Sequence, residues 1–175
     1  MHLMIDLETL STDPRAVILS VGACKFTETT IVDTFYREVE IQPQFKNRHI
    51  SAETLKWWLS QGEEAQRVFG DADKASLAHV LADLTIFVGA DAPTIHTWAN
   101  GASFDLPILA TAYTDAGGPV PWRFYNERCY RTVKNLFDGQ YKKLELGQEL
   151  KHNALNDAVF QARQLMEIMQ CHAFQ

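Results

Sequence analysis

Residues 2–41 read HLMIDLETLSTDPRAVILSVGACKFTETTIVDTFYREVEI, and their patterning decides the fold. His2 to Asp6 is a short apolar run that ends in an acid, which predicts a buried strand. Ala16 to Phe26 is rich in β-branched and small residues and predicts a second strand. Ile31 to Ile41 alternates apolar and polar residues, the pattern of a half-buried strand. Ser11-Thr12-Asp13-Pro14 and Thr27 to Thr30 supply turn chemistry between the runs. Three strands joined by such short turns can only return on one another, so the opening is an antiparallel meander.

Outward from this stretch helices dominate. Ser51-Ala-Glu-Thr54 is compatible with a capped start for a helix over Glu53 to Gln61, and Ala75 to Val88 carries Leu77, Val80, Leu81, Leu84 and Val88 at helical spacing. A strand is expected over Thr94 to Ala99, stopped by Asn100-Gly101, followed by a helix from Ser103 to Thr114. A short strand near Phe124 to Asn126, a helix from Cys129 to Phe137 and a final helix from Ala154 to Cys171 complete the order. Three strands, helices, strand, helix, strand, helix describes a mixed sheet flanked by helices, an α/β fold. With no internal repeat, low-complexity tract or linker, residues 1–175 read as one domain.

Composition sets the outer limits. Over 175 residues, 46% hydrophobic and 22% charged content is globular usage and excludes disorder, collagen and coiled coil. No apolar stretch is long enough to span a membrane, and Met1-His2-Leu3-Met4-Ile5-Asp6 lacks the basic start of a signal peptide, so a cytoplasmic protein is expected. Cys24, Cys129 and Cys171 form no C-x-x-C pair and read as small hydrophobes in a reducing compartment. The net charge of −6 gives no mean attraction for nucleic acid. The charge is uneven, however: Arg123, Arg128, Arg131, Lys134, Lys142 and Lys143 face only Glu127 and Asp138 between residues 123 and 143. Such a run is either a solvated face or a place for phosphates.

Three groups of acids carry the chemistry. Asp6 and Glu8 stand two apart on a strand and so present two carboxylates on one side. Alone, D-x-E reads as a surface acid pair. Asp105, in Asn100-Gly-Ala-Ser-Phe-Asp105, lies where a strand ends and a helix begins, a position equally suited to a ligand cleft and to helix capping. His152 and Asp157 open the last helix five residues apart, which fits a histidine on the entering loop and an aspartate about a turn further in.

In this order, D-x-E, N-G-x-x-F-D and H-x4-D together resemble the DEDDh 3′–5′ exonucleases, the proofreading-exonuclease and ribonuclease T superfamily with a ribonuclease H-like fold. The resemblance runs from Met4 to about Leu165. The opening residues and Thr54-Leu-Lys-Trp-Trp58 with Gln61 look most similar to the branch of phage exonuclease A and the mycobacterial-type 3′–5′ exoribonuclease. Asn153 stands where the tyrosine subclass would carry its tyrosine, which places the chain with the histidine subclass.

The resemblance implies a ribonuclease H-like sheet, in which parallel strands join the meander, and a two-metal phosphodiesterase. Asp6, Glu8, Asp105 and Asp157 would be hard-oxygen ligands of two divalent cations, Mg²⁺ or Mn²⁺. His152 would be the general base on the attacking water, since an imidazole titrates near neutrality. Thr9 would bond the 3′ end, Leu10 would wedge against the terminal base, and Phe104 could stack a base. For Trp57 and Trp58 the core reading is stronger, because adjacent aromatics on a helix point in different directions and one packs inward. The implied partner is the 3′ end of single-stranded DNA or RNA, with the sugar left open, and the resemblance also allows a homodimer. Two readings compete: a silent module that grips nucleic acid or a partner on the same fold, and a structural metal protein. The first is disfavoured because all five chemical positions are filled, the second because it has no need of His152.

Overall fold

The computed structural model describes residues 1–70, 73–147 and 152–172. Its strands β1 (His2–Thr9), β2 (Ile18–Phe26), β3 (Ile31–Glu38), β4 (His96–Ala99) and β5 (Glu127–Cys129) form one sheet in the order β3-β2-β1-β4-β5. β1, β2 and β3 pair antiparallel, whereas β4 runs parallel to β1 and β5 parallel to β4. The helices are α1 (Ala52–Leu59), α2 (Glu63–Gln66), α3 (Leu77–Val88), α4 (Asp105–Asp115), α5 (Tyr130–Leu136) and α6 (Ala154–Cys171). The mixed α/β architecture and the opening meander agree with the sequence reading.

β1 lies in the middle of the sheet, and its two sides serve different cores. Leu3, Ile5 and Leu7 face the cluster that includes Val80, Leu84, Leu106 and Leu109 of α3 and α4. Met4 faces the opposite cluster with Cys24, Phe26, Trp98 and the α6 residues Ala158, Ala162, Leu165 and Ile168. Burial on both faces explains why β1 reads as a continuous apolar run. By the same alternation Asp6 and Glu8, following Met4 in phase, project to the α6 side. A third, smaller cluster packs Leu10, Val17 and Leu19 under Trp58 of α1, with Ala65 and Val68.

Caps fix the helix starts. Ser51 Oγ accepts from the Thr54 N–H at 3.3 Å, Ser76 Oγ from His79, and Asn153 Oδ1 from Leu155 and Asn156. One element differs from expectation. Phe124–Asn126 is a single 3-10 turn, and the strand is shifted to Glu127–Cys129, where Glu127 pairs with Thr97. Phe124 and Tyr125 are both largely exposed, so the apolar run that suggested a strand is a surface turn, and sheet pairing begins only after it. Among the described residues, no helix is long and apolar enough to cross a membrane.

Candidate active site

The acids meet because the start of α6 rests closely on β2, next to β1. Asp6 sits opposite Gly22 in the β1–β2 register. A Cβ at Gly22 would lie well under 3.0 Å from the backbone of Ala154 and Leu155. Only hydrogen at this position lets the first turn of α6 rest on the sheet, and that turn carries Asp157. One oxygen from each of Asp6, Glu8 and Asp157 then lies within 4.8 Å of the others, close enough to share a metal ion.

The environment is hostile to so much negative charge. Burial, followed by the charges of Asp105, Glu8 and Asp157, pushes the Asp6 carboxyl well above its ordinary range, while a hydrogen bond from Gln161 opposes that rise. Glu8, itself buried, is pushed up to about 8 by burial and then by Asp157 and Asp105. Burial likewise raises Asp105. Burial and mutual repulsion thus disfavour the charged form of each of these acids, and a cation would favour it. The donor set is composed of hard carboxylate oxygens, and the side-chain oxygen Oε1 of Gln161 beside it is buried with no partner among the described residues. Both features fit Mg²⁺ or Mn²⁺, which take oxygen ligands and retain water.

Asp105 begins α4 and is almost wholly buried. Its Oδ1 accepts the Leu7 N–H of β1 at 3.1 Å, a contact that ties α4 to the acid-bearing strand. Phe104, not Asp105, occupies the N-cap position, and no side chain caps the helix there. Asp105 thus borders the trio, near enough to raise Asp6, without belonging to the group of mutually close oxygens.

His152 adopts a left-handed backbone, with φ of 60°, one residue before the α6 cap. Its N–H donates to Asp157 Oδ2 at 2.9 Å, and its ring meets the Trp57 ring edge-on at 4.9 Å between centroids. The two tryptophans divide as adjacent helical residues must. Trp58 is buried and donates its Nε1–H to the Thr9 carbonyl at 2.9 Å. Trp57 is 42% exposed and stands beside the imidazole. The core reading therefore holds for Trp58 and is corrected for Trp57, which is turned about 100° away around the helix.

Two clefts open from the acids. A cleft of about 410 Å³ is walled by Glu8, Thr9, Trp57 and Phe104, among others. A larger one of about 530 Å³ lies on the other side, walled by Asn100, Tyr130, Lys134, His152, Asp157 and Gln161, among others. Thr9 and Phe104 thus reach the cleft, although the Thr9 hydroxyl donates to the Ser11 carbonyl at 2.7 Å. Leu10 does not line it. At 3% exposure it is packed with Val17, Leu19 and Trp58, and so presents little surface to a base. The β1–β2 register shift between Glu8 and Thr9 lies just before it.

Of the six bases, Lys134 lines the larger cleft and Arg131 borders it, donating to the Asn100 carbonyl at 2.8 Å. Arg128 is engaged by the carbonyls of Tyr125 and Glu127, and Lys143 pairs with Asp138 at 2.6 Å. Gln161 is the residue that motif reading overlooks. It stands four after Asp157 on α6, and its Nε2–H donates to Asp6 Oδ1 at 2.8 Å. The available signal is a polar residue at i+4 from a motif acid, on a helix face that also carries Ala158, Ala162, Leu165 and Ile168.

Residues 1–169 match the 3′–5′ exoribonuclease Rv2179c-like domain. No curated protein matches the chain. Among solved structures, exonuclease X in complex with 5′ overhanging duplex DNA is similar at a TM-score of 0.65 and 19% identity, covering 100% of this chain and 95% of that one. The nuclease domain of 3′hExo, a DEDDh family member bound to rAMP, gives 0.60 and 14% identity over 96% of this chain and 90% of that one. S. pombe Pop2p in its Mg²⁺- and Mn²⁺-bound form gives 0.55 and 13% identity over 96% of this chain and 82% of that one. At these identities the structural likeness speaks for the fold.

Proposed function

The chain belongs to the 3′–5′ exoribonuclease Rv2179c-like domain family, and from that premise we propose that it is a two-metal 3′–5′ exonuclease acting on single-stranded ends and releasing nucleoside 5′-monophosphates. The observation that carries the reading is the trio Asp6, Glu8 and Asp157, with ligand atoms within 4.8 Å of one another at the meeting of two clefts. Asp105 at the trio's border completes the set of acids. The family description names RNA, the exonuclease X structure holds DNA, and the Pop2p structure holds Mg²⁺ and Mn²⁺. These support the reaction class and the cofactor proposed here.

Asp6, Glu8, Asp105 and Asp157 would hold the cations. When bound, these lower the pKa of water and neutralise charge growing on the phosphoryl group. The remaining work falls to the chain itself. His152 accepts the proton of the attacking water; the Trp57 ring packs against its imidazole, and its backbone N–H is tied to Asp157 in the cleft that both line. Thr9 and Phe104 receive the terminal nucleotide in the smaller cleft, where an aromatic face accepts any base. Lys134 meets backbone phosphate in the larger cleft, offsetting the local acidity.

The test uses 5′-labelled single-stranded RNA and DNA oligonucleotides with Mn²⁺, Mg²⁺ or EDTA. A metal-dependent ladder shortening from the 3′ end is expected, abolished by blocking that end, and the faster substrate identifies the sugar. Folded, metal-loaded protein that cuts neither strand would refute the reading, and continued cutting of a 3′-blocked strand would make it an endonuclease.

A further inference from the structure

Gln161 is a buried polar side chain outside the motif residues that hydrogen-bonds directly to one of the acids. It is 5% exposed, among Ala158, Ala162, Leu165 and Ile168 on α6; the other buried amide of that helix, Gln164, has both ends bonded, to the Leu144 N–H and the Lys142 carbonyl. Packing alone would be served better by a leucine or methionine there, because a buried amide must satisfy both of its ends. One end is satisfied: the Nε2–H of the amide donates to Asp6 Oδ1 at 2.8 Å, the arrangement that suits an ionised, metal-binding carboxylate. The carbonyl oxygen Oε1 is then left buried and without a partner among the described residues, on a side chain that lines the 530 Å³ cleft with His152 and Asp157. An orphaned acceptor at this place calls for a donor that arrives with a ligand.

We propose that Gln161 is a positioning residue of the metal site. Its NH₂ holds Asp6 by one oxygen and leaves the other for a cation, and its Oε1 accepts from the hydration shell that the cation brings into the cleft. The inference rests on the metal-dependent reading above and extends it to a residue outside the motif acids. Asp157 and Gln161 stand one helical turn apart, so a single turn of α6 supplies a ligand and the group that aims a second ligand on β1. Groups that orient metal ligands from behind typically change affinity about 10–100-fold when removed.

The test is calorimetric titration of Mn²⁺ and Mg²⁺ into wild-type protein, Gln161→Met and Gln161→Leu, with melting of each metal-free protein alongside. Both variants match the apolar neighbours and are expected to fold; the second serves if the first does not. Binding of Mn²⁺ should weaken about tenfold or more, with a larger loss for Mg²⁺, which dehydrates reluctantly and keeps more of its water. A purely structural role would alter metal-free melting and leave both affinities in place, and that result would overturn the proposal. Equal losses for the two ions would overturn the role given to Oε1. Wild-type protein that takes up neither ion would overturn the proposed function itself, an outcome the wild-type titration reports before any variant is compared.

Discussion

Gly22→Ala is the perturbation that best separates the architecture of the site from its chemistry, because Gly22 touches no substrate and carries no ligand. An added Cβ would stand under 3.0 Å from the backbone of Ala154 and Leu155, where ordinary contact needs 3.4–4 Å. The neighbouring atoms are backbone, so no rotamer change relieves the overlap, and the start of α6 must retreat by about 1 Å. Overpacking of this kind costs about 1–3 kcal/mol. The functional loss should be disproportionate. Asp157 rides on the displaced turn, and Mg²⁺ demands near-octahedral ligands at about 2.0–2.1 Å, so a shift of that size removes one carboxylate from reach. Misplacement by about 1 Å can cost about 10²-fold in rate. The assay compares thermal melting, Mn²⁺ titration and exonuclease turnover with those of Gly62→Ala, whose added Cβ would meet nothing within 4 Å. Gly22→Ala should keep a cooperative melt yet lose metal affinity and turnover, while Gly62→Ala keeps all three. A Gly22→Ala protein that binds Mn²⁺ and turns over like wild type would refute the argument that this contact sets the site.

Three other outcomes follow from the same geometry. In EDTA, the fold retains the Glu8 proton up to about pH 8 while the unfolded chain releases it near pH 4.5; the folded state therefore binds more protons across that window and stability falls as pH rises through it. Glu8→Gln should flatten that slope in metal-free melts, by an amount on the order of a few kcal/mol, and saturating Mn²⁺ should do the same to wild type. Trp57→Ala removes an edge-on ring contact worth about 0.5–1.5 kcal/mol but frees the His152 imidazole, so turnover should fall well beyond the small loss in melting temperature while Mn²⁺ affinity stays. Leu10→Ala should cost about 2–5 kcal/mol of stability without raising KM for a single strand; a raised KM at unchanged stability would restore Leu10 to the substrate cleft.

Periodicity made the fold legible where burial is one-sided or complete. The apolar run of β1, the alternation of β3 and the helical face of α6 each require a particular element, and α6 has the expected bounds of Ala154–Cys171. It failed at Phe124–Asn126, where an aromatic pair that looks buried is exposed on a turn. Motif spacing located the acids because phase on β1 and position on α6 are local properties. The burial of Leu10 was not legible, because local phase does not tell what covers a strand end; Trp58, Ala65 and Val68 pack with it. Trp57 and Gln161 were missed for a related reason. Their roles depend on what lies across the cleft, and neither the pitch of α1 nor that of α6 reveals that the imidazole and Asp6 stand there.

Misplacement of a few side chains does not blur the fold, because the acids occupy the end of a strand whose first half does the folding. Leu3, Met4 and Ile5 are fully buried between two helix layers, and this apolar anchoring holds β1 in the centre of the sheet whatever the protonation state of Asp6 and Glu8. Clustered carboxylates raise one another and oppose folding when charged, so a sheet edge could not carry them as securely. The parallel neighbour β4 ends beside them in Asn100-Gly101, and the loop from there returns Asp105 to the Leu7 N–H. The first turn of α6 closes the group from the other side over Gly22. The four acids are therefore delivered by three elements, β1, α4 and α6, and each element is fixed by apolar packing remote from the charge. It follows that removing a single carboxylate should disable the site far more than it weakens the fold, and should even relieve the metal-free protein of part of its internal repulsion.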